Sequence, residues 1–306
     1  MLAAGEAEIP LGYRYRSALA FTYRNLATGV IKGVIYEDCG ETGEGVFEKF
    51  YELFNAPDAG YEIVMYKDMT VSKGMGFGEY VKHKDSTHNR DYYSSMRLGS
   101  IIWDLNGTTV TVAENVSNLI YLHAATCGLS TTDPGNETWA GNTVFGFEGV
   151  SSSSGNSFTL KSSKAGAKIV NDSSHYLFGI GEGSFSQLII QGENLTVDAG
   201  AGMVIRSYEN DYDNNGRSAR HQIYGGTYIG ANASGVMQVS MNTIIENATL
   251  ISTSESATRV LALDTYRTGK INAKNCVFVA ENAKAAAISA TTKYSLVLEG
   301  CTFLNV

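Results

Sequence analysis

Proline is scarce in this chain, with 3 among 306 residues. Proline interrupts hydrogen-bonded ladders, so its scarcity leaves long stretches free to pair as strands. Cysteine is scarce too. Cys39, Cys127, Cys276 and Cys301 are too few and too scattered for a disulfide scaffold, and no Cys-x-x-Cys pair offers half of a zinc site. No apolar run approaches the ~18 residues of a membrane-crossing helix. Met1 to Glu8 lacks the basic start and apolar core of a signal peptide. The 23 Lys and Arg residues are outnumbered by 31 Asp and Glu, and none form a dense basic stripe, so nucleic acid is not an expected partner. The Gly-x-Ser-x-Gly elbow of triad hydrolases is absent.

Glycine, by contrast, is abundant at 33 residues, and much of it falls in a recurring unit. The unit is an apolar residue, any residue, Gly or Asn, two more residues, and a second apolar residue. It occurs at Leu105–Val110, Ile190–Leu195, Ile223–Tyr228, Ile245–Leu250, Ala273–Phe278 and Leu298–Phe303. From Gly192 onward, the Gly/Asn position recurs at steps of 33, 22, 28 and 25 residues. A loose period in this range marks stacked repeats. The two apolar positions are five apart, so an unbroken strand would point them to opposite faces. If both face inward, a corner between them must change the alternation. Gly and Asn suit that corner because they enter the left-handed conformation at least cost. The expectation is therefore a left-handed φ at Gly107, Gly192, Gly225, Asn247, Asn275 and Gly300. Each unit then reads as strand, one-residue corner, strand, with successive coils ~4.8 Å apart. Hairpins of a β-sandwich are the competing reading. They call for two-residue Asn-Gly or Asp-Gly turns, and only Asn106–Gly107 has that form.

The run Ile101–Val110 (IIWDLNGTTV) resembles the "IDLNG-x-T" stretch near the start of right-handed parallel β-helices of the pectin-lyase-like kind, as found in bacterial surface proteins. Ahead of it, Val46–Asn55 has helical spacing, and Pro57, Asp58 and Gly60 would stop that helix. Tyr61–Val71 then resembles the family's first strand. The resemblance covers residues 44 to 306. It implies an all-β fold, a right-handed parallel β-helix (solenoid) with an N-terminal capping helix near 46–56. Residues 1–43 form an N-terminal extension in which Leu19–Tyr23 and Val30–Tyr36 suggest a β-hairpin. From Tyr61 to Val306 the repeat length allows about nine to eleven coils. The end at Val306 falls within a coil, so truncation at the C-terminus is expected, with any signal or anchor outside the segment.

Cys276 and Cys301 share position four of adjacent units and should stack. Their spacing permits a disulfide, while Ala248 in the same slot suits small packed residues. Two buried thiols are the expectation, since unpaired Cys is commonly enclosed.

Chemistry has three candidate locations. Asp211, Asp213 and Asn215, followed by Gly216, alternate like the start of a calcium loop, but Gln222 at the twelfth position cannot supply the closing bidentate carboxylate. No cofactor is therefore expected, with calcium the exception to consider. Arg206, Arg217, Arg220 and His221 border that loop. With Asp213 they are the residue types a uronate lyase of this fold would use. The Arg-x-x-Pro-x-x-Arg run of pectate lyases is absent, as are the paired-Asp, Gly-His-Gly and Arg-x-Lys runs of related hydrolases. Residues 73–98 read as a polar, aromatic loop in which His83, His88, Tyr92 and Tyr93 suit sugar binding, since Tyr rings stack on apolar sugar faces.

The resemblance implies a noncatalytic extracellular β-helix segment of a bacterial cell-surface or secreted protein that binds polysaccharide, host glycans or host surfaces. The alternative is a polysaccharide lyase or glycoside hydrolase acting on acidic polysaccharide. Neither nucleic acid binding nor membrane insertion is expected of this segment.

Overall fold

In the computed structural model, the described residues are 6–8, 18–39, 45–54, 60–77, 80–85, 90–95, 100–122, 157–180, 187–207, 221–239, 243–263, 270–281, 285–290 and 295–306. They are overwhelmingly strand, and the strands belong to three long sheets of 11, 8 and 7 members plus one separate two-stranded pair. Successive strands fall in the first, second and third sheet in turn, and neighbours within each sheet of this series run parallel. That connectivity is a β-helix-like solenoid.

Among the described residues, eight coils follow one another. The first is Tyr61–Met65, Met69–Val71 and Met75–Phe77. The second is Ile101–Asp104, Thr109–Val112 and Ile120–Leu122. The third is Ser157–Lys161, Ala167–Asn171 and Tyr176–Ile180. The fourth is Gln187–Gln191, Leu195–Asp198 and Met203–Ser207. The fifth begins at His221–Tyr224, the sixth at Thr243–Glu246 and the seventh at Lys270–Lys274. The eighth has Ser295–Glu299 and Thr302–Asn305. Among the described residues the count is eight, against the nine to eleven that the repeat length allows.

The core is a set of ladders along the interior. In the first sheet, Trp103, Leu160, Ile190, Ile223, Ile245 and Ala273 lie in register and are all at most 1% exposed. In the second, Val110, Ile169, Val197, Tyr228, Leu250 and Phe278 form the matching ladder. The stack Leu250–Phe278–Phe303 is present, with the two Phe rings 5.4 Å apart and 11° from parallel. Both apolar positions of the repeat unit do face inward.

The corners divide into two kinds. Gly225, Asn247, Asn275 and Gly300 have φ of 68°, 56°, 52° and 62° and occupy one register. Around Asn247 the burial runs in, out, corner, in, out, in from Ile245 to Leu250, so one left-handed residue resets the alternation. The first two units depart from this. Leu105–Thr108 is a turn closed by Thr108 N–H donating to Leu105 O at 2.9 Å, with Asn106 and Gly107 both left-handed at φ 50° and 86°. A turn with both central residues left-handed is the hairpin type, here joining two sheets of a solenoid. Gly107 therefore lies out of register with the later corners. Gly192 is not left-handed at all. It opens a turn closed by Leu195 N–H to Gly192 O at 2.9 Å. Its need for glycine is steric: a Cβ there would meet the Tyr228 hydroxyl at 2.6 Å and Gly225 O at 2.9 Å.

Ahead of the coils, Leu19–Asn25 and Ile31–Ile35 form an antiparallel hairpin, and its first strand pairs antiparallel with Tyr61–Met65. The hairpin thus extends the first sheet without a break. The helix Gly45–Phe54 buries Val46, Phe47, Phe50 and Phe54 on one face. Phe50 packs 5.9 Å from Phe21 and 4.7 Å from Trp103, and Phe54 lies 6.1 Å from Phe158.

Residues 73–98 are not a continuous loop. They contain Met75–Phe77 of the third sheet and an antiparallel pair, Tyr80–Asp85 with Arg90–Ser95.

Candidate functional site

Of the candidates read from the sequence, Arg206 and His221 fall among the described residues with described side chains, and they lie in different sheets. His221 opens a strand of the first sheet, between Leu188 above and Thr243 below, and is 1% exposed. Its Nδ1 accepts the Leu188 N–H at 3.2 Å. The imidazole is thus enclosed within the column. Strand parity decides this: His221 is two residues before inward Ile223. Arg206 lies in the third sheet, its guanidinium 4.6 Å from the Tyr176 ring centroid. Asp211, Asp213, Asn215, Arg217 and Arg220 lie outside the described residues, and so does His88. His83 and Tyr92 are directly paired across the antiparallel insertion, with Tyr93 opposite Lys82. Among the described residues, no group of three His, Cys, Asp or Glu side chains could hold a metal ion. No helix among them is long and apolar enough to cross a membrane.

The structure instead assembles a pocket at the corner between the first and second sheets. Lys161, Ser162, Ser163, Gln191, Glu193, Asn194 and Tyr224 enclose about 370 Å³. These residues come from three consecutive coils. Lys161, Gln191 and Tyr224 are in register at the ends of their strands. The pocket exists because the third and fourth coils use longer turns here, while the fifth turns at Gly225.

Two of the lining residues, Lys161 and Ser163, are held by carboxylates beside the pocket. Asp104 is 3% exposed and accepts from Asn106 N–H at 2.8 Å, from Ser163 N–H at 2.9 Å and from the Ser163 hydroxyl. Lys161 Nζ donates to Glu62 Oε1 at 3.0 Å and stands 3.9 Å from Asp104 Oδ2. Glu62 also pairs with Arg24 at 2.6 Å. Burial alone would raise the Glu62 carboxyl, but the hydrogen bonds and charges of Lys161 and Arg24 outweigh it and hold the carboxyl below its ordinary value. Asn194 Nδ2 donates to Ser162 O at 3.2 Å, and the Tyr224 hydroxyl donates to Gln222 Oε1 at 3.1 Å. The single cation lining the pocket is thus matched by two carboxylates. Glu193 and Gln191 are exposed at its rim. Chemically, the pocket offers an aromatic ring, two amides, hydroxyls and one unmatched carboxylate.

Sequence reading missed this site because its residues are spread over positions 161 to 224 and match no catalytic motif. The signal that finds it is the repeat itself. Aligning Ile190 with Ile223 places Gln191 beside Tyr224.

No family model, no curated protein and no solved structure matches the chain. The class of the molecule therefore rests on its own geometry: an all-β solenoid of parallel strands with a polar pocket at one corner.

Proposed function

We propose that this chain is a noncatalytic glycan-binding segment of a bacterial cell-surface or secreted protein, built as a right-handed parallel β-helix of the pectin-lyase-like kind with the helix Gly45–Phe54 as its cap. The observation that carries the reading is the corner pocket. Saccharide sites combine a ring face for the apolar side of the sugar with convergent amides and hydroxyls for its hydroxyl groups, and Tyr224, Gln191, Asn194 and Ser163 supply that set. Adjacent coils offer equivalent positions ~4.8 Å apart, a spacing that suits a chain of linked sugars laid along the axis.

The charge balance favours neutral or amine-bearing sugars over uronates. Lys161 is committed to Glu62 and Asp104, and Glu193 stands exposed. A polyanion would meet that carboxylate without a free cation beside it.

The test is a glycan array followed by calorimetry with neutral, amine-bearing and uronate oligosaccharides. Binding should favour the first two classes and fall about tenfold or more, ~1.4 kcal/mol, in Tyr224→Ala. It should survive Asp211→Ala and Asp213→Ala. The same oligosaccharides, incubated with calcium, are followed for the ultraviolet absorbance of unsaturated uronates and for reducing ends. Turnover abolished by Asp213→Ala or Arg217→Ala would replace this reading with a lyase or hydrolase.

A further inference from the structure

The strands of the seventh and eighth coils place two thiols against each other. Lys274 faces Glu299 and Val277 faces Thr302, so Cys276 and Cys301 occupy one register between them. Both are free thiols. Cys276 is wholly enclosed, whereas Cys301 is partly open. Each thiol donates to a carbonyl of the preceding coil, Cys276 to Ile245 O at 3.2 Å and Cys301 to Ala273 O at 3.4 Å. Neighbouring parallel strands lie ~4.8 Å apart. That separation falls within the ~4.4–6.8 Å between Cα atoms that a disulfide spans.

We propose that Cys276 and Cys301 are an oxidation site for low-molecular-weight disulfides, closing a bond that staples the eighth coil to the seventh. Cys301 is the entry point because, of these two thiols, it is the partly open one. It loses its proton and attacks one sulfur of glutathione disulfide. The glutathione S–S bond breaks, and one glutathione leaves and takes up a proton. Cys276 then loses its proton and attacks the Cys301 sulfur of the mixed disulfide, and the second glutathione leaves protonated. Two protein thiols are oxidised, and one glutathione disulfide is reduced to two glutathiones. In-register strands hold their side chains slightly further apart than a relaxed disulfide prefers. The bond should therefore be readily reduced, as strained disulfides are. The eighth coil can give, since Thr302–Asn305 is exposed along its whole length. Burial pushes the Cys276 thiol up, so closure should quicken as pH rises and the thiolate fraction grows.

The experiment incubates the full chain with glutathione disulfide, then maps tryptic peptides by mass spectrometry without reduction. The expected product is a peptide pair joined through Cys276 and Cys301, two hydrogens lighter than the separate peptides. Cys276→Ser should stop at a glutathione adduct on Cys301, and Cys301→Ser should react at neither position. Closure should raise the melting temperature, and dithiothreitol should reverse the rise. A persistent adduct on Cys301 in the wild type would overturn the proposal, as would links formed mainly through Cys39 or Cys127. Circular dichroism of both serine variants separates failed chemistry from a failed fold.

Discussion

At the scale of single residues, the corners are governed by two distinct constraints. Asn247 and Asn275 hold left-handed φ, and their side chains touch, with Asn275 Nδ2 donating to Asn247 Oδ1 at 3.3 Å. Asn275→Ala should cost about 1–2 kcal/mol, since an ordinary L-residue pays roughly that in this conformation. Asn275→Gly should cost less. Gly192 is constrained by space instead, and Gly192→Ala should cost roughly 1–3 kcal/mol as the Tyr228 hydroxyl is displaced. Urea unfolding midpoints check all three. Glu62 adds a pH signature. Its carboxyl is held below its ordinary value, so its contribution is complete above the unfolded value of 4.5 and is lost as pH falls through the lower folded value. Glu62→Gln should flatten that acid limb of stability between neutral and acidic pH. The effect is about 0.2–1 kcal/mol, because the pairs lie near solvent.

At the scale of elements, inward ladders set the energetics. Phe278 is fully enclosed, while Phe303 is 48% exposed on the eighth coil. Phe278→Ala should cost ~3–5 kcal/mol, and Phe303→Ala clearly less. Equal shifts in denaturation midpoint would contradict the stack. These ladders are also what made the fold legible in sequence. Ile245, Asn247 and Leu250 carry the whole logic of in, corner, in, and the same spacing recurs at Ala273 and Leu298. The helix was legible from Val46, Phe47, Phe50 and Phe54 on one face. Register was less so. Leu105–Val110 fits the same pattern as Ile245–Leu250, but a two-residue longer corner shifts Gly107, and pattern matching is blind to insertions within a turn. The corner pocket was not legible, because Lys161, Gln191 and Tyr224 become neighbours only once 30 and 33 residues are folded into coils. His221 borders a polar loop in sequence, whereas its strand neighbours in space are Leu188 and Thr243.

At the scale of the whole molecule, contact is between successive coils, so stability should be distributed along the axis rather than held by one centre. One end is tied by aromatic packing: Phe21, Phe50, Trp103, Phe54 and Phe158 join the hairpin, the helix and the second and third coils. The eighth coil exposes Val297, Leu298, Phe303 and Leu304. Amide exchange should therefore be slowest near Trp103 and fastest in Ser295–Asn305. Phe50→Ala should loosen Leu19–Asn25 and Ile101–Asp104 while leaving exchange at Thr249–Ser252 unchanged. Uniform acceleration across all eight coils would show one cooperative unit instead.

The turn at Asn106–Gly107 bears on how the protein ages. Asn-Gly is the dipeptide most prone to deamidate, because the glycine nitrogen attacks the asparagine side-chain carbonyl and expels ammonia. Here both participants are occupied: Asn106 Nδ2 donates to Met65 O at 2.8 Å, and Gly107 N–H donates to the Ser162 hydroxyl at 3.0 Å. The left-handed backbone also fixes the attacking nitrogen relative to its target. Isoaspartate at position 106 should therefore accumulate only while the first three coils are open. Its slow appearance in stored protein would serve as a clock for that opening.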